Sequence, residues 1–182
     1  MQVGINKNME EQVVLVDEDD VVKGFIGKTE AHMKGALHRA ISIMVFNENR
    51  ELLIQQRAEK KYHWAGIWSN TVCTHPRQGE TYQQAAERRL KEELGFQTPL
   101  TDVFSFIYKA KDEESGLTEH ELDHVFVGNY NGGIPFNQAE VQAVRWVTLD
   151  DLRTEIEVYP DKFSFWFKII LKEFEQRGLF SL

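Results

Sequence analysis

The chain has 182 residues, 42% of them hydrophobic, enough for one domain with its own core and too few for two. No apolar run approaches the roughly 18 residues that cross a bilayer, and a formal net charge of −8 repels a polyanionic backbone, so membrane and nucleic acid are excluded as partners. One cysteine rules out an intramolecular disulfide, and the start of the chain lacks a basic stretch followed by an apolar one, so a reducing cytoplasm is the expected location.

Residues 11–16 and 21–26 are short apolar stretches on either side of Asp17-Glu18-Asp19-Asp20, the pattern of a hairpin with a solvated turn. Together they form an N-terminal hairpin extension over about residues 10–30. Residues 41–46 and 51–56 predict a second hairpin around Asn47-Glu48-Asn49-Arg50, with Arg57 just beyond. Residues 81–94 predict a helix, with Ala85, Ala86, Arg89, Leu90 and Glu93 on adjoining turns and Gly95 in the terminating position. Residues 103–108, 122–128 and 141–147 read as strands, and 163–177 as an aromatic-rich amphipathic helix. Strands punctuated by helices predict an α/β (α+β) architecture, a mixed sheet covered by helices, in a single domain over residues 1–182.

Several residues carry chemical potential. His32, His38 and His75, with Glu119 and Glu121, offer imidazole and carboxylate ligands of the kind that suits zinc, manganese or magnesium. Glu119 and Glu121 are two apart, so on a strand both face one side; a solvated strand face has the same spacing. By the same alternation His120 faces the other way and is not expected to ligate, and neither His63 nor His124 is needed. Cys73, in Ser69-Asn70-Thr71-Val72-Cys73-Thr74-His75-Pro76, reads either as a small buried hydrophobe or as a proton-transfer group. Trp166 reads either as a core residue or as an aromatic face for a cation. An anionic small substrate would need a local cluster of cations or a metal against the overall negative field.

The segment from Thr74 to Phe96 resembles a Nudix box: Glu80, Arg88, Leu90, Glu92, Glu93 and Gly95 match its pattern, while Thr74 replaces the first glycine and Arg89 replaces a glutamate of the metal-binding helix. With Cys73 upstream and Glu119-His120-Glu121 downstream, the chain is similar from about Lys28 to Trp166 to the type 1 isopentenyl diphosphate isomerases. That resemblance implies a Nudix-like fold and interconversion of isopentenyl and dimethylallyl diphosphate by protonation and deprotonation, in a monomer or weak homodimer. It implies that Cys73 and Glu121 transfer protons, with Tyr108 hydrogen-bonded to Glu121, and that Trp166 faces the cationic intermediate. It implies that His32, His38, His75, Glu119 and Glu121 hold a divalent ion. Lys28, Arg57, Lys61 and Arg89 would contact the diphosphate, and Glu93 with the carbonyl of Cys73 would hold a bridging magnesium. The alternative is a Nudix pyrophosphohydrolase of nucleoside diphosphate derivatives, against which the charge inversion at Arg89 argues.

Overall fold

The computed structural model describes residues 11–59, 64–113 and 115–179. The N-terminal hairpin forms as the sequence predicts. Strands β1 (Gln12–Val16) and β2 (Val22–Gly27) pair antiparallel, and the acidic run between them is a turn. Asp17 Oδ1 accepts the backbone N–H groups of Asp19 and Val21 at 3.1 and 2.9 Å, which is how a short carboxylate side chain closes a turn. Helix α1 (Lys28–Lys34) follows without a loop, and Gly35, at φ 59°, ends it in the left-handed conformation that glycine adopts without strain.

The second hairpin is only half what the sequence predicts. Asn47 Oδ1 accepts from Asn49 and Glu51 as a turn residue should, yet β3 (His38–Phe46) and β4 (Leu52–Arg57) share a single register pair, Phe46 with Leu52, and then diverge. Strand β3 runs parallel to β8 (Thr118–Asn129), while β4 pairs antiparallel with β9 (Val141–Val147). The opening is filled by the segment joining β5 (Trp68–Ser69) to β6 (Val72–Thr74). There Thr71 Oγ1 accepts from the Val45 N–H and donates to the Leu53 carbonyl, bridging β3 to β4. Asn70 donates to the carbonyls of Ile43 and Val72. These side chains take the place of a missing strand, satisfying buried backbone groups that would otherwise be costly.

Helix α2 (Tyr82–Leu94) opens with a capping box, Thr81 and Gln84 each bonding the other's backbone N–H, and closes at Gly95. It lays Ala85, Ala86, Leu90 and Leu94 on one face of the sheet, against Ile41, Ile43, Leu53 and Phe126. Strand β7 (Leu100–Lys111) pairs antiparallel with β8. Helix α3 (Leu149–Val158), capped by Thr148, and helix α4 (Phe165–Gln176) cover the opposite face. From them Leu152, Phe167, Ile170 and Phe174 pack on Met44, Leu52, Ile54 and Val125. Each fully buried aromatic contributes about 2 kcal/mol of transfer free energy. The result is the mixed sheet between helices that the patterning predicts.

Candidate active site and metal centre

Five side chains from three elements and one loop converge at the end of the sheet where β3 and β8 begin. His32 comes from α1, His38 opens β3, His75 follows β6, and Glu119 and Glu121 stand on one side of β8. All five are buried, and one ligand atom from each lies within 4.8 Å of every other. The alternative reading of Glu119 and Glu121 as a solvated strand face does not hold, because the pair points inward at 4% and 2% exposure.

The geometry fits a cation. Glu119 Oε2 and His32 Nε2 are 3.1 Å apart, and among the described residues Glu119 Oε2 and His38 Nε2 have no hydrogen-bond partner. His38 Nδ1 is bonded to the Ala36 carbonyl at 2.8 Å, which turns its Nε2 toward the cluster. Glu121 Oε1 meets His75 Nε2 at 2.9 Å, with His38 Nε2 at 3.7 Å. Burial opposes ionisation of Glu121, yet the two imidazoles hold its carboxyl well below the usual range. Burial and the charge of Glu121 push Glu119 well above it, and burial lowers His32 to about 4. Two buried carboxylates this close are both ionised only when a cation sits between them, and imidazoles with carboxylates form a donor set that suits a divalent ion.

Beside this cluster lies a small pocket walled by Lys28, Arg57, Trp64, Cys73, Tyr108 and Trp166, with His32, His75, Glu119 and Glu121 on its other side. Cys73 and Glu121 enter from different strands, β6 and β8, which flank β3. Burial first, and then the neighbouring carboxylates, pushes the Cys73 thiol well above its ordinary range, so it is protonated. Tyr108 Oη donates to Glu121 Oε2 at 2.6 Å. Trp166 is oriented by a hydrogen bond from its Nε1 to Ser69 Oγ at 2.9 Å, and Trp64 packs edge-on against it at 5.0 Å. The Arg57 guanidinium lies 5.6 Å from the centre of the Trp166 ring.

Not every expected residue joins this pocket. Arg89 is bonded to Glu92 at 2.9 Å and to Glu93, and lies 3.6 Å from Glu140. Glu93 also accepts from Gln55 Nε2 at 2.9 Å. Neither lines the pocket; they form an ion-pair network on α2. The box residues Glu80 and Arg88 make a two-point pair of their own at 2.6 and 2.8 Å. Lys61 and His63 lie outside the described residues. His120, as expected, faces away, its Nδ1 against the Gly35 carbonyl, and His124 stacks on Tyr82. Trp64 is a pocket residue that sequence reasoning missed.

Fold and box together define a Nudix protein, and residues 36–167 match the NUDIX domain family. Solved structures agree on the fold. A Deinococcus radiodurans protein, DR0079, superimposes with a TM-score of 0.67 at 22% identity over 81% of this chain and 90% of its own. The MutT protein of Methanosarcina mazei gives 0.64 at 17% over 78% and 95%. Within that class the chain belongs to the isopentenyl-diphosphate Delta-isomerase family. It is 51% identical to Isopentenyl-diphosphate Delta-isomerase 2 of Aromatoleum aromaticum over 87% of this chain and 83% of that one. To the Isopentenyl-diphosphate Delta-isomerase of Pectobacterium atrosepticum it is 45% identical over 87% and 88%. Lys28 and His32 precede the NUDIX-matched region, so the N-terminal extension completes the pocket. Among the described residues no helix is long and apolar enough to cross a membrane.

Proposed function

We propose that the chain interconverts isopentenyl and dimethylallyl diphosphate. The observation that carries this reading is that a protonated thiol, an ionised carboxylate and an oriented indole line one small pocket. Cys73 delivers a proton to the terminal methylene carbon of isopentenyl diphosphate, leaving a tertiary carbocation at the adjacent carbon. Glu121 removes a proton from the carbon next to the diphosphate-bearing methylene, and the new double bond forms there. One proton is added and one removed, so no oxidant or reductant is needed. Tyr108 and His75 hold the two oxygens of Glu121, and the face of Trp166 offsets the positive charge where water is excluded. Reversal of the reaction exchanges the roles of the two groups.

Lys28 and Arg57 give the diphosphate its cations at the pocket wall, with Lys61 and Arg89 as further contacts. His32, His38, His75, Glu119 and Glu121 would hold magnesium, manganese or zinc, which when bound would neutralise the two carboxylates and tune the basicity of Glu121. Glu93 and the Cys73 carbonyl would hold a magnesium, which would offset the charge of the diphosphate. A hydrolytic reading is disfavoured, because Arg89 stands where the Nudix box has a glutamate, which removes one carboxylate that would help assemble a hydrolytic metal cluster. A reducing cytoplasm suits a working thiol, and the ligand is a small diphosphate rather than a nucleic acid.

Incubation with isopentenyl diphosphate and magnesium in deuterated water tests this. Deuterium should enter the methyl group of the product with no release of phosphate. Cleavage of nucleoside diphosphate derivatives, with no deuterium in the isoprenoid, would overturn the reading.

A further inference from the structure

Lys28 and His32 belong to the N-terminal extension, so the pocket and the metal centre are complete only when that extension is docked. Strand β2 lies at the edge of the sheet and pairs with β1. Among the described residues β1 meets β3 in one register pair, Leu15 with His38, and the Val16 N–H donates to the Leu37 carbonyl at 3.2 Å. Val14 and Val16 pack with Leu122.

The tip of the hairpin carries a further tie, made of side chains. Asp20 Oδ1 accepts from Arg39 Nε at 2.7 Å and from Tyr82 Oη at 2.9 Å, and the Asp20 carbonyl accepts from Arg39 Nη2 at 3.2 Å. The guanidinium also lies 5.0 Å from the centre of the Tyr82 ring, so the three groups close a triangle. One comes from the hairpin turn, one from β3 and one from the start of α2. Stacking on His124 at 3.8 Å fixes the Tyr82 ring. The Arg39 and Asp20 side chains are 19% and 33% exposed, which spares the pair full solvent screening. Asp20 has φ 60°, a left-handed conformation that glycine adopts without strain and aspartate does not. The turn alone therefore gives no reason for a carboxylate there, whereas its two donors do.

Arg39 follows His38 on β3. The clasp thus ties the strand of one metal ligand to the hairpin that leads, through β2, into the helix of another, His32, whose ring centre is 5.2 Å from that of His38. We propose that Asp20, Arg39 and Tyr82 are positioning residues for the metal centre: they clasp the hairpin to the domain and so hold His32 and Lys28 in place. None of the three lines the pocket, so each acts through the docked extension. An apparent affinity falls with the fraction of molecules in which the site is assembled. Opening the clasp therefore weakens ion binding and leaves the chemistry of the assembled site unchanged.

The proposal rests on the metal site of the reading above, and its probe is manganese titrated into the metal-stripped full chain. Asp20→Gly relieves the backbone and removes the clasp, and its apparent dissociation constant should rise about fivefold, the scale of one hydrogen bond. Tyr82→Phe, which keeps the ring, should weaken binding in the same direction. Asp20→Asn keeps an acceptor oxygen and should stay within about twofold of the parent. Hydrogen exchange at the amides of β1, β2 and α1 should quicken in Asp20→Gly while α3 and α4 keep the parent rate. With isopentenyl diphosphate, the manganese concentration giving half-maximal rate should rise by the same factor, and kcat at saturating manganese should not change. Parent-like manganese affinity in Asp20→Gly would overturn the proposal, as would weaker binding without faster exchange in the hairpin. Faster exchange throughout the molecule would also overturn it, because it would mark a general loss of stability. If the parent protein binds no manganese, the metal reading falls and the role toward the ion with it, and exchange alone decides whether the clasp holds the extension.

Discussion

Tyr108 and Glu121 stand directly opposite one another across β7 and β8, and the phenol donates to the carboxylate at 2.6 Å. Burial, and then the charge of Glu121, push the phenol well above its ordinary range, so it stays a donor at every working pH. The carboxylate is therefore gripped on one oxygen by Tyr108 and on the other by His75. Tyr108→Phe removes one grip and leaves the ring's stacking on Phe106. A hydrogen bond to a charged group is worth about 1.5–3 kcal/mol, so kcat should fall at least about tenfold while the protein stays folded. Steady-state rates together with a melting curve check this, and an unchanged kcat would remove Tyr108 from the mechanism.

Cys73→Ala and Glu121→Gln should each cost about 100-fold or more in turnover, since each removes the agent of one proton transfer. Cys73→Ala should melt close to the parent protein, because a half-buried thiol contributes little packing. Near-normal turnover in Cys73→Ala would sink the proposed role of the thiol.

Chelation should abolish activity and lower the melting temperature. An ion that binds only the folded chain stabilises it by about 2.7 kcal/mol at 100 times its dissociation constant. Elemental analysis should find the ion in the parent protein and not in Glu119→Gln or His38→Ala. If stripping changes neither stability nor rate, the five residues do not form a working metal site.

Relative to a His32→Gln variant, the metal-free protein should lose stability as pH falls from 6.5 toward about 4. Burial depresses His32 to about 4 from 6.5 and lowers His75 well below its ordinary value. In that window the unfolded chain binds protons that the folded chain refuses, so stability rises with pH. For His32 alone the effect is at most about 3 kcal/mol. Burial disfavours the charge of His38, but Glu121 raises its pKa, so its contribution is complete below 6.5 and does not change within this window. The buried carboxyls of Glu119 and Asp123, raised well above their ordinary range, act the other way, since the folded chain keeps protons that the unfolded chain releases. Urea midpoints of the parent and of His32→Gln across this range isolate the imidazole, and parallel profiles would contradict its depressed value.

Gly95→Ala should destabilise the fold by about 1–3 kcal/mol. Gly95 has φ 74°, and an added Cβ would come within 2.6 Å of the Pro135 carbonyl oxygen. Chemical denaturation measures the loss. A parent-like midpoint would mean that the Pro135 loop yields freely.

What the sequence discloses depends on how local each signal is. Helix α2 is legible because Thr81, Gln84 and Gly95 mark its ends within a few residues of the helix itself. Helix α1 is not, since seven residues are too few to show periodicity and no side chain caps its start. Helix α3 had a signal that went unread, Thr148 three residues before Asp151. The separation of β3 from β4 is invisible locally, for their true partners β8 and β9 lie far along the chain. The five ligands follow the same rule. The spacing of Glu119 and Glu121 was readable, but their meeting with His32 and His75 depends on the parallel pairing of β3 with β8, and only the family resemblance supplied it. Arg89 was read as a phosphate contact from that resemblance. Its bonds to Glu92, Glu93 and Glu140 arise from helix spacing and from a loop distant in sequence.

The joint between β3 and β4 bears on how this protein can be altered. Asn70 and Thr71 close that joint, and Cys73 comes two residues later on the same short run. A string that reads as a chemical signature is therefore partly a weld, and its rigidity passes directly to the sulfur. Screens for lost activity across residues 69–73 will mix broken sheets with broken chemistry. Adaptation to a bulkier substrate has more freedom at Trp64, which lines the pocket from a bend beside the turn at Gly66 and carries none of the sheet's hydrogen bonds described above.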